Sequence, residues 1–379
     1  MPSTLMLLSN PFRPDPRVLI EGRALTASGI KVHLISWDRE GGRPKRGDEE
    51  GLEVIRLGPA TPARAPFKIL GRLPIFWLKA LNACKSVSFD VVHAHDFDTL
   101  PLGFLIARLS RRPLLYDAHE LYAKMIKHEV GPLSKPIWWW ERRCARRATA
   151  VITVSETLAD SLSSGRKDRA RVVSTSQDPS ILKGVNVGEM RKKYGLKGFT
   201  VSYLGSLEPG RFVEEFASSF EPGDGVTMVV GGTGTLQTRI ERMTAEKPAL
   251  RFIGVVDTDE ALRISYASDL VVAMMDPSNP NNVVGTPGKI INAMACGRPV
   301  ITTRGLQIAE KIEKAGAGIV VPYEKAAFRD AVLKAAKDPR NLADMGRKGR
   351  DLYDREFSWE KSKNELLRAY QALLGIRLA

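Results

Sequence analysis

The chain has 379 residues, 43% hydrophobic and 26% charged, which is enough for about two domains with buried cores and too apolar for disorder. Its 57 Lys and Arg against 43 Asp and Glu leave a net charge of +14, a field that favours nucleic acid, anionic membrane or phosphorylated ligands. Cys84, Cys144 and Cys296 are odd in number and scattered, which argues against a disulfide framework or a structural zinc, and no apolar run approaches the ~20 residues that span a bilayer. Residues 5–8 lack the length and basic lead-in of a signal peptide, so a cytoplasmic protein is expected.

From the N-terminus, buried β-branched runs at 5–8, 32–35, 54–57, 91–93, 114–116, 151–154 and 172–173 read as strands. Helical periodicity at 18–27, 69–87, 100–109, 135–148 and 156–162 falls between them. The positive charge leans to this half: residues 1–190 hold 29 Lys and Arg against 20 Asp and Glu. Between Glu53 and Asp90 there is no acidic residue, while Arg56, Arg64, Lys68, Arg72, Lys79 and Lys85 are interleaved with Phe67, Leu70, Ile75, Trp77 and Leu78. Such a segment suits an anionic lipid surface, and equally a core helix with a solvated basic face. Trp138, Trp139 and Trp140, followed by Arg142, Arg143, Arg146 and Arg147, carry the same two readings.

The stretch 176–197, with Asp178-Pro179 and several glycines, interrupts the rhythm and reads as an inter-domain linker. Strands are then expected at 201–204, 227–230, 252–253, 270–273, 300–302 and 319–321, with helices at 212–220, 236–244, 289–295, 308–315 and 326–337. Alternation of this kind gives α/β architecture, here two doubly wound parallel sheets. Ligands of such sheets bind outside the carboxyl ends of the strands, which selects the loops worth reading. Two such domains facing each other would share one cleft.

Three loops of the second half suit an anion. Thr286 is a good N-cap and Pro287 a good first helical residue, so a helix over 287–296 would aim free amides and a partial positive charge at a ligand beside Gly288 and Lys289. Lys289 itself opposes the helix dipole unless a phosphate is bound; a solvent-pointing lysine on an ordinary capped helix is the plainer alternative. Gly205, Ser206 and Arg211 lie on a strand-to-helix loop with a hydroxyl and a guanidinium for phosphate oxygens. Gly231–Gly234, with Gly232 and Thr233, lets backbone amides approach closely. Together they suggest a diphosphate held without metal.

These residues resemble those of the retaining GT-B glycosyltransferases of glycosyltransferase family 4, over nearly the whole length. Asp15-Pro16-Arg17-Val18, Phe89–Asp96, Tyr116-Asp117-Ala118-His119-Glu120 and Ala150–Ser155 are similar to its N-terminal signatures, and 287–301 is the most specific match. Phe357-Ser358-Trp359-Glu360 with Leu366, Leu367 and Tyr370 resembles the closing helix, which in GT-B proteins crosses back onto the first domain. The resemblance implies an acceptor-binding domain at 1–184, a nucleotide-sugar domain at 185–358 and a closing helix at 359–379. It implies metal-independent transfer from a UDP- or GDP-sugar, with no cofactor required; with the basic, apolar-studded segments above, the expected acceptor is lipid-linked or a polysaccharide, met at the inner face of a membrane. By motif position His119 is the cleft histidine, Arg211 and Lys289 neutralise the diphosphate, and Gly254 and Val255 hold the base. Asp15, Arg17, His95, Asp96, Asp98 and Glu120 are placed on the acceptor side. Where the family commonly carries two glutamates eight positions apart, this chain has Val284 and Asn292. Asn292 would then be a neutral, weaker partner for a ribose hydroxyl.

Other readings compete. His93, His95, Asp96, Asp98 and His119 contain metal-ligand types, and Asp96-Phe97-Asp98 has the Asp-x-Asp form of metal-using GT-A enzymes. The charge alone would fit a nucleic-acid-binding protein, but no recognised module supports it, and nucleic acid is not expected as a partner. Another GT-B nucleotide-sugar enzyme, such as a 2-epimerase, is the nearer alternative.

Overall fold

A computed structural model describes residues 1–12, 15–61, 66–120, 122, 131 and 134–376, with the side chains of 66–68 set aside. Arg64 therefore lies outside the described residues, as do the side chains of Phe67 and Lys68. The chain forms two compact units, one of Met1–Ser174 with Lys361–Ala379 and one of Thr175–Glu360.

In the first unit, β1 (Ser3–Leu8), β2 (Lys31–Trp37), β3 (Arg46–Glu49), β4 (Leu52–Leu57), β5 (Val91–His95), β6 (Leu114–Ala118), β7 (Ala150–Thr153) and β8 (Arg171–Val172) form one sheet in the order β3-β4-β2-β1-β5-β6-β7-β8. Every pairing is parallel except that of β3 with β4. The polar strand β3 was not among the expected ones; it is a hairpin partner on the open edge and buries nothing. Sheet order reverses direction between β1 and β5, so the carboxyl ends of these two strands frame the crevice where such folds bind ligands. Leu5, Leu7, Ile35, Trp37, Val92, Ala94 and Tyr116 fill one core face. The first helix, Pro16–Ala27, starts on Pro16 with Asp15 as N-cap, its carboxylate accepting from the Val18 amide at 3.2 Å. The closing helix Trp359–Leu374 packs its later turns in this unit. Ser362 Oγ lies 2.7 Å from Ser174 Oγ, Glu365 pairs with Arg171 at 2.9 Å, and Tyr370 OH reaches Thr4 Oγ1 at 3.0 Å.

In the second unit, β9 (Phe199–Leu204), β10 (Val226–Gly231), β11 (Leu250–Phe252), β12 (Leu270–Ala273), β13 (Val300–Thr303) and β14 (Gly318–Val321) pair in parallel in the order β11-β10-β9-β12-β13-β14. The switch point is beside β9. Tyr203, Phe216, Phe220, Met228 and Phe328 fill one face, and Val271, Ala273, Ile290, Ile291 and Met294 the other. Helices Thr258–Ala267 and Pro339–Leu352, each capped by an aspartate, and the short turn Pro280–Val284 lie where no helix was expected. The stretch 176–197 holds a 3-10 turn, Pro179–Leu182, and the helix Val187–Tyr194, which Asn186 caps and Gly195 closes at a φ of 64°. No helix among the described residues is long and apolar enough to cross a membrane.

Candidate active site

Two clusters of chemically capable groups stand at carboxyl strand ends, one in each unit.

The first grows out of β5, β6 and the first helix. Register places His95 of β5 opposite Asp117 of β6, and the two-residue period puts His93 and His95 on one face. Asp117, wholly buried, gathers donors: Arg17 Nη2 at 2.6 Å on Oδ1, and Arg17 Nε at 2.8 Å, His119 Nε2 at 2.9 Å and His95 Nδ1 at 3.1 Å on Oδ2. Asp96 follows β5 in a left-handed conformation, φ 61°, sparsely populated for a residue with a side chain. That turn aims its carboxylate at His119, with the backbone amide at 3.0 Å and ring Nδ1 at 3.2 Å.

Charge follows from these contacts. Both ring nitrogens of His119 face carboxylates, and Asp96 and Asp117 together overcome burial to push it up to about 10. Burial pulls His93 and His95 down, so they stay neutral. Arg17 and the histidines hold Asp117 well below the usual carboxylate range despite its burial, whereas burial lifts Asp96 to about 7 and Glu21 to about 8. His93 Nδ1 lies 2.9 Å from Tyr370 OH, and its ring stacks on His95 with centroids 4.2 Å apart.

Glu21, His93, His95 and Asp117 could each offer a ligand atom within 4.8 Å of the others. Arg17 already occupies the same carboxylates, 2.6 Å from Asp117 and 3.1 Å from Glu21, and a dication there would have to displace it. Arg17 and His95 are thus behind the surface, not on it, and cannot both make these contacts and touch an acceptor. The sequence reading placed both on the acceptor side; the structure gives their side chains to Asp117. Asp15 caps the first helix and takes Asn10 Nδ2 at 2.8 Å; Asp98 accepts from Ser9; Glu120 is exposed.

The second cluster lies at the ends of β9, β10 and β11. The loops are laced together by Gly205 N to Gly231 O, Gly232 N to Gly254 O and Leu207 N to Thr233 O, each 2.9 Å. Gly232, at φ 135°, has no room for a side chain: a Cβ there would sit 1.8 Å from Gly205 O. Beside Gly254, at φ 73°, the space is open, and Val255 is exposed. Gly205 and Ser206 are exposed, and the Ser206 carbonyl accepts from Tyr203 OH at 2.6 Å.

Lys289 projects back over this loop. Its Nζ lies 3.5 Å from the Tyr203 ring centre, and its stem is what a side chain at Gly205 would meet. No carboxylate pairs with it among the described residues, and its neighbour Arg211 makes one side-chain contact, to Met275 Sδ at 3.4 Å. Burial, then Arg211, pull the Lys289 ammonium well below its ordinary value. The helix here is Gly288–Ala295 with Pro287 as N-cap and no side-chain cap, one residue later than expected, so Thr286 does not cap it. The Gly288 and Lys289 amides consequently have no acceptor among the described residues. Asn292 Oδ1, one turn on, is buried without a partner, and Val284 ends the preceding short helix. Arg211, a lysine that an anion would protonate, glycine loops and amides without acceptors among the described residues make a surface suited to an anion.

Sequence reading missed Tyr203 beneath Lys289, since a core tyrosine in a strand carries no signal. It quoted Asp117 within a motif without giving it work. The pairing of a strand-end acid with an arginine on the first helix was the available clue.

The chain matches the family model described as Glycosyltransferase Family 4 over residues 18–180 and that described as Glycosyl transferases group 1 over residues 198–338. It is similar to a D-inositol 3-phosphate glycosyltransferase of Arthrobacter sp., 24% identical over 379 residues, covering 92% of this chain and 87% of that protein. It is also similar to a glycogen synthase of Mycobacterium tuberculosis, 23% identical over 306 residues, covering 78% and 72%. Among solved structures, a sucrose-phosphate synthase from Thermosynechococcus elongatus superposes with a TM-score of 0.78 at 19% identity, covering 98% of this chain and 99% of that one. Anabaena HepE in complex with UDP-glucose does so at 0.71 and 17%, covering 97% and 99%. At such identities the structural likeness concerns the fold.

Proposed function

We propose that this chain, which belongs to the family 4 and group 1 glycosyltransferases of GT-B architecture and acts on nucleotide sugars, is a retaining, metal-independent transferase using a UDP- or GDP-sugar. The observation that carries this reading is the couple Arg211 and Lys289, without a carboxylate partner among the described residues, beside a helix start with no side-chain cap at the switch point of the second sheet. In it, the donor diphosphate lies across Gly205, Ser206, Gly232, Thr233 and Thr286–Lys289, with the base toward Gly254 and Val255. Two fixed cations and a helix N-terminus take the place of a divalent ion in stabilising the leaving group. The bond from the sugar's anomeric carbon to the diphosphate oxygen breaks, the bond to the acceptor oxygen forms on the same face, and the acceptor's proton passes to the departing phosphate. His119 stands at the reacting centre, with Asp15, Asp96, Asp98 and Glu120 on the acceptor side.

The acceptor in this reading is lipid-linked or a polysaccharide, met at an anionic membrane surface. Support comes from apolar side chains left in solvent on two basic helices of the first unit. Leu70, Ile75 and Leu78 are exposed on Pro66–Ala83 beside Lys79, and Trp139 and Trp140 on Ser134–Arg147 beside Arg143 and Arg147.

Titration of the protein with UDP and GDP in EDTA tests the donor site. Lys289→Ala should weaken the preferred nucleotide on the order of 10- to 100-fold, the range of one charge-assisted contact. Affinity unchanged by the substitution, or binding that requires added metal, would refute the assignment. Product analysis with an added saccharide acceptor separates transfer with retained anomeric configuration from isomerisation of the donor.

A further inference from the structure

We infer that Asp117, braced by Arg17 and His95, is a positioning residue that fixes the His119 ring as an Nε2–H donor with Nδ1 facing the Asp96 carboxylate, so that the group offered to substrate is an N–H cation and not a proton acceptor. The inference rests on the glycosyltransferase reading for its reacting centre, but its geometry stands on the first unit alone.

A histidine acting as base must present a ring lone pair. Here Nε2 is committed to Asp117 Oδ2 by a hydrogen bond of 2.9 Å, and Nδ1 faces the Asp96 carboxylate at ion-pair distance, 3.2 Å from Oδ2. The two carboxylates differ in standing. Asp117 is wholly buried and held by the Arg17 fork through two parallel bonds of 2.6 and 2.8 Å, with His95 donating at 3.1 Å. Arg17 is itself fixed by the Val173 carbonyl at 2.5 Å and by Glu21 at 3.1 Å. Asp96 keeps 29% of its side chain in solvent. The Nε2 contact is therefore the anchor, and the Nδ1–H is the one a substrate oxygen can take over from Asp96. Such an N–H stabilises negative charge on a sugar hydroxyl or phosphate oxygen without transferring its proton.

Among the described residues, the titratable and charged groups that interact with His119 are His93 and His95 of β5, Asp96 and Asp98 just after it, Asp117 from β6, and Arg17 and Glu21 from the first helix.

Nitrogen-15 NMR of histidine-labelled full-length protein tests this, with His119→Gln assigning the resonance. In the unsubstituted protein both His119 nitrogens should read as protonated from about pH 6 to 9. A neutral tautomer at pH 7 would overturn the inference whatever the fate of any variant. In Asp117→Asn the ring should titrate in the ordinary histidine range, with kcat for sugar transfer reduced on the order of 100-fold and the donor KM within about 2-fold. Equal losses in kcat and donor affinity, or a His119 titration unmoved by the substitution, would refute a positioning role. Arg17→Lys, which keeps the charge but not the fork, should fall between the two. Failure of wild-type protein to bind any nucleotide diphosphate would sink the glycosyltransferase reading while leaving the NMR result intact.

Discussion

Lys289 is a lysine kept in the wrong electrostatic surroundings until an anion arrives. Its Nζ has an aromatic face at 3.5 Å and the Arg211 guanidinium for company, and burial favours the neutral amine. A diphosphate reverses both effects, so nucleotide binding is linked to protonation of this group. At a pH where the nucleotide's own phosphates are fully ionised, binding should take up protons, to at most about one per site. Calorimetry in two buffers of different ionisation enthalpy reads the uptake directly, and Lys289→Met should abolish it. An uptake that survives the substitution would place the titrating group elsewhere. At this scale the sequence was informative about types and poor about company. It could mark Lys289, Arg211 and Asn292 because each stands in a loop or first helical turn of recognisable chemistry. It could not show that Arg17 turns inward, because that depends on Asp117, 100 residues away.

Element boundaries were legible where hydrophobic period and capping agreed. The strands from β1 to β14 were nearly all marked by short apolar runs, and only β3, a polar edge strand reading Arg-Gly-Asp-Glu, had none to give. Helices with weak apolar faces escaped notice: Thr258–Ala267 and Pro339–Leu352 are polar sequences whose starts are written in caps, Asp257 and Asp338, rather than in periodicity. On Pro66–Ala83 and Ser134–Arg147 the pattern was visible and its meaning was not. The two alternatives, core or lipid, are decided side chain by side chain: Phe76 is fully buried while Leu78 is 68% and Trp139 66% exposed. Exposed indole and leucine beside Lys79, Arg143 and Arg147 is the arrangement that partitions to an anionic interface. Binding to vesicles containing an acidic phospholipid should therefore weaken on replacing Lys79, Arg143 and Arg147 by Gln, by about 1 kcal/mol per charge in low salt. The same triple variant should leave nucleotide affinity unaltered, since these residues belong to the other unit. Vesicle binding that is absent in wild-type protein, or indifferent to the triple change, would remove the membrane from the account.

For the molecule as a whole, the two units are the same doubly wound scheme put to different uses. The second collects uncompensated positive charge at its switch point, whereas the first buries a balanced network of acids, histidines and an arginine. That network ties the stability of the first unit to pH. His119 is raised from 6.5 to about 10, so its stabilisation is complete below about pH 6.5 and is lost as pH climbs through 10. Glu21, raised to about 8, and Asp96, raised to about 7, act in the same sense: ionising them costs more in the folded than in the unfolded chain, a penalty that grows from about pH 4 upward. Asp117 opposes only on the acid side. Its depressed value stabilises the fold above its unfolded value of 3.8 and is lost as pH falls through the folded one. The first unit should accordingly be most stable in mild acid and lose on the order of 3 kcal/mol between about pH 6 and 10. Tryptophan emission can follow it, because Trp37, Trp77, Trp138, Trp139 and Trp140 lie in that unit and only Trp359 in the other. Glu21→Gln should flatten the decline up to about pH 8, and His119→Gln should flatten it from about pH 6.5 to 10, so that only the His119 change acts above pH 8. A urea midpoint for that emission that stays level across the range, or that falls identically in both variants, would show that the network does not titrate with folding.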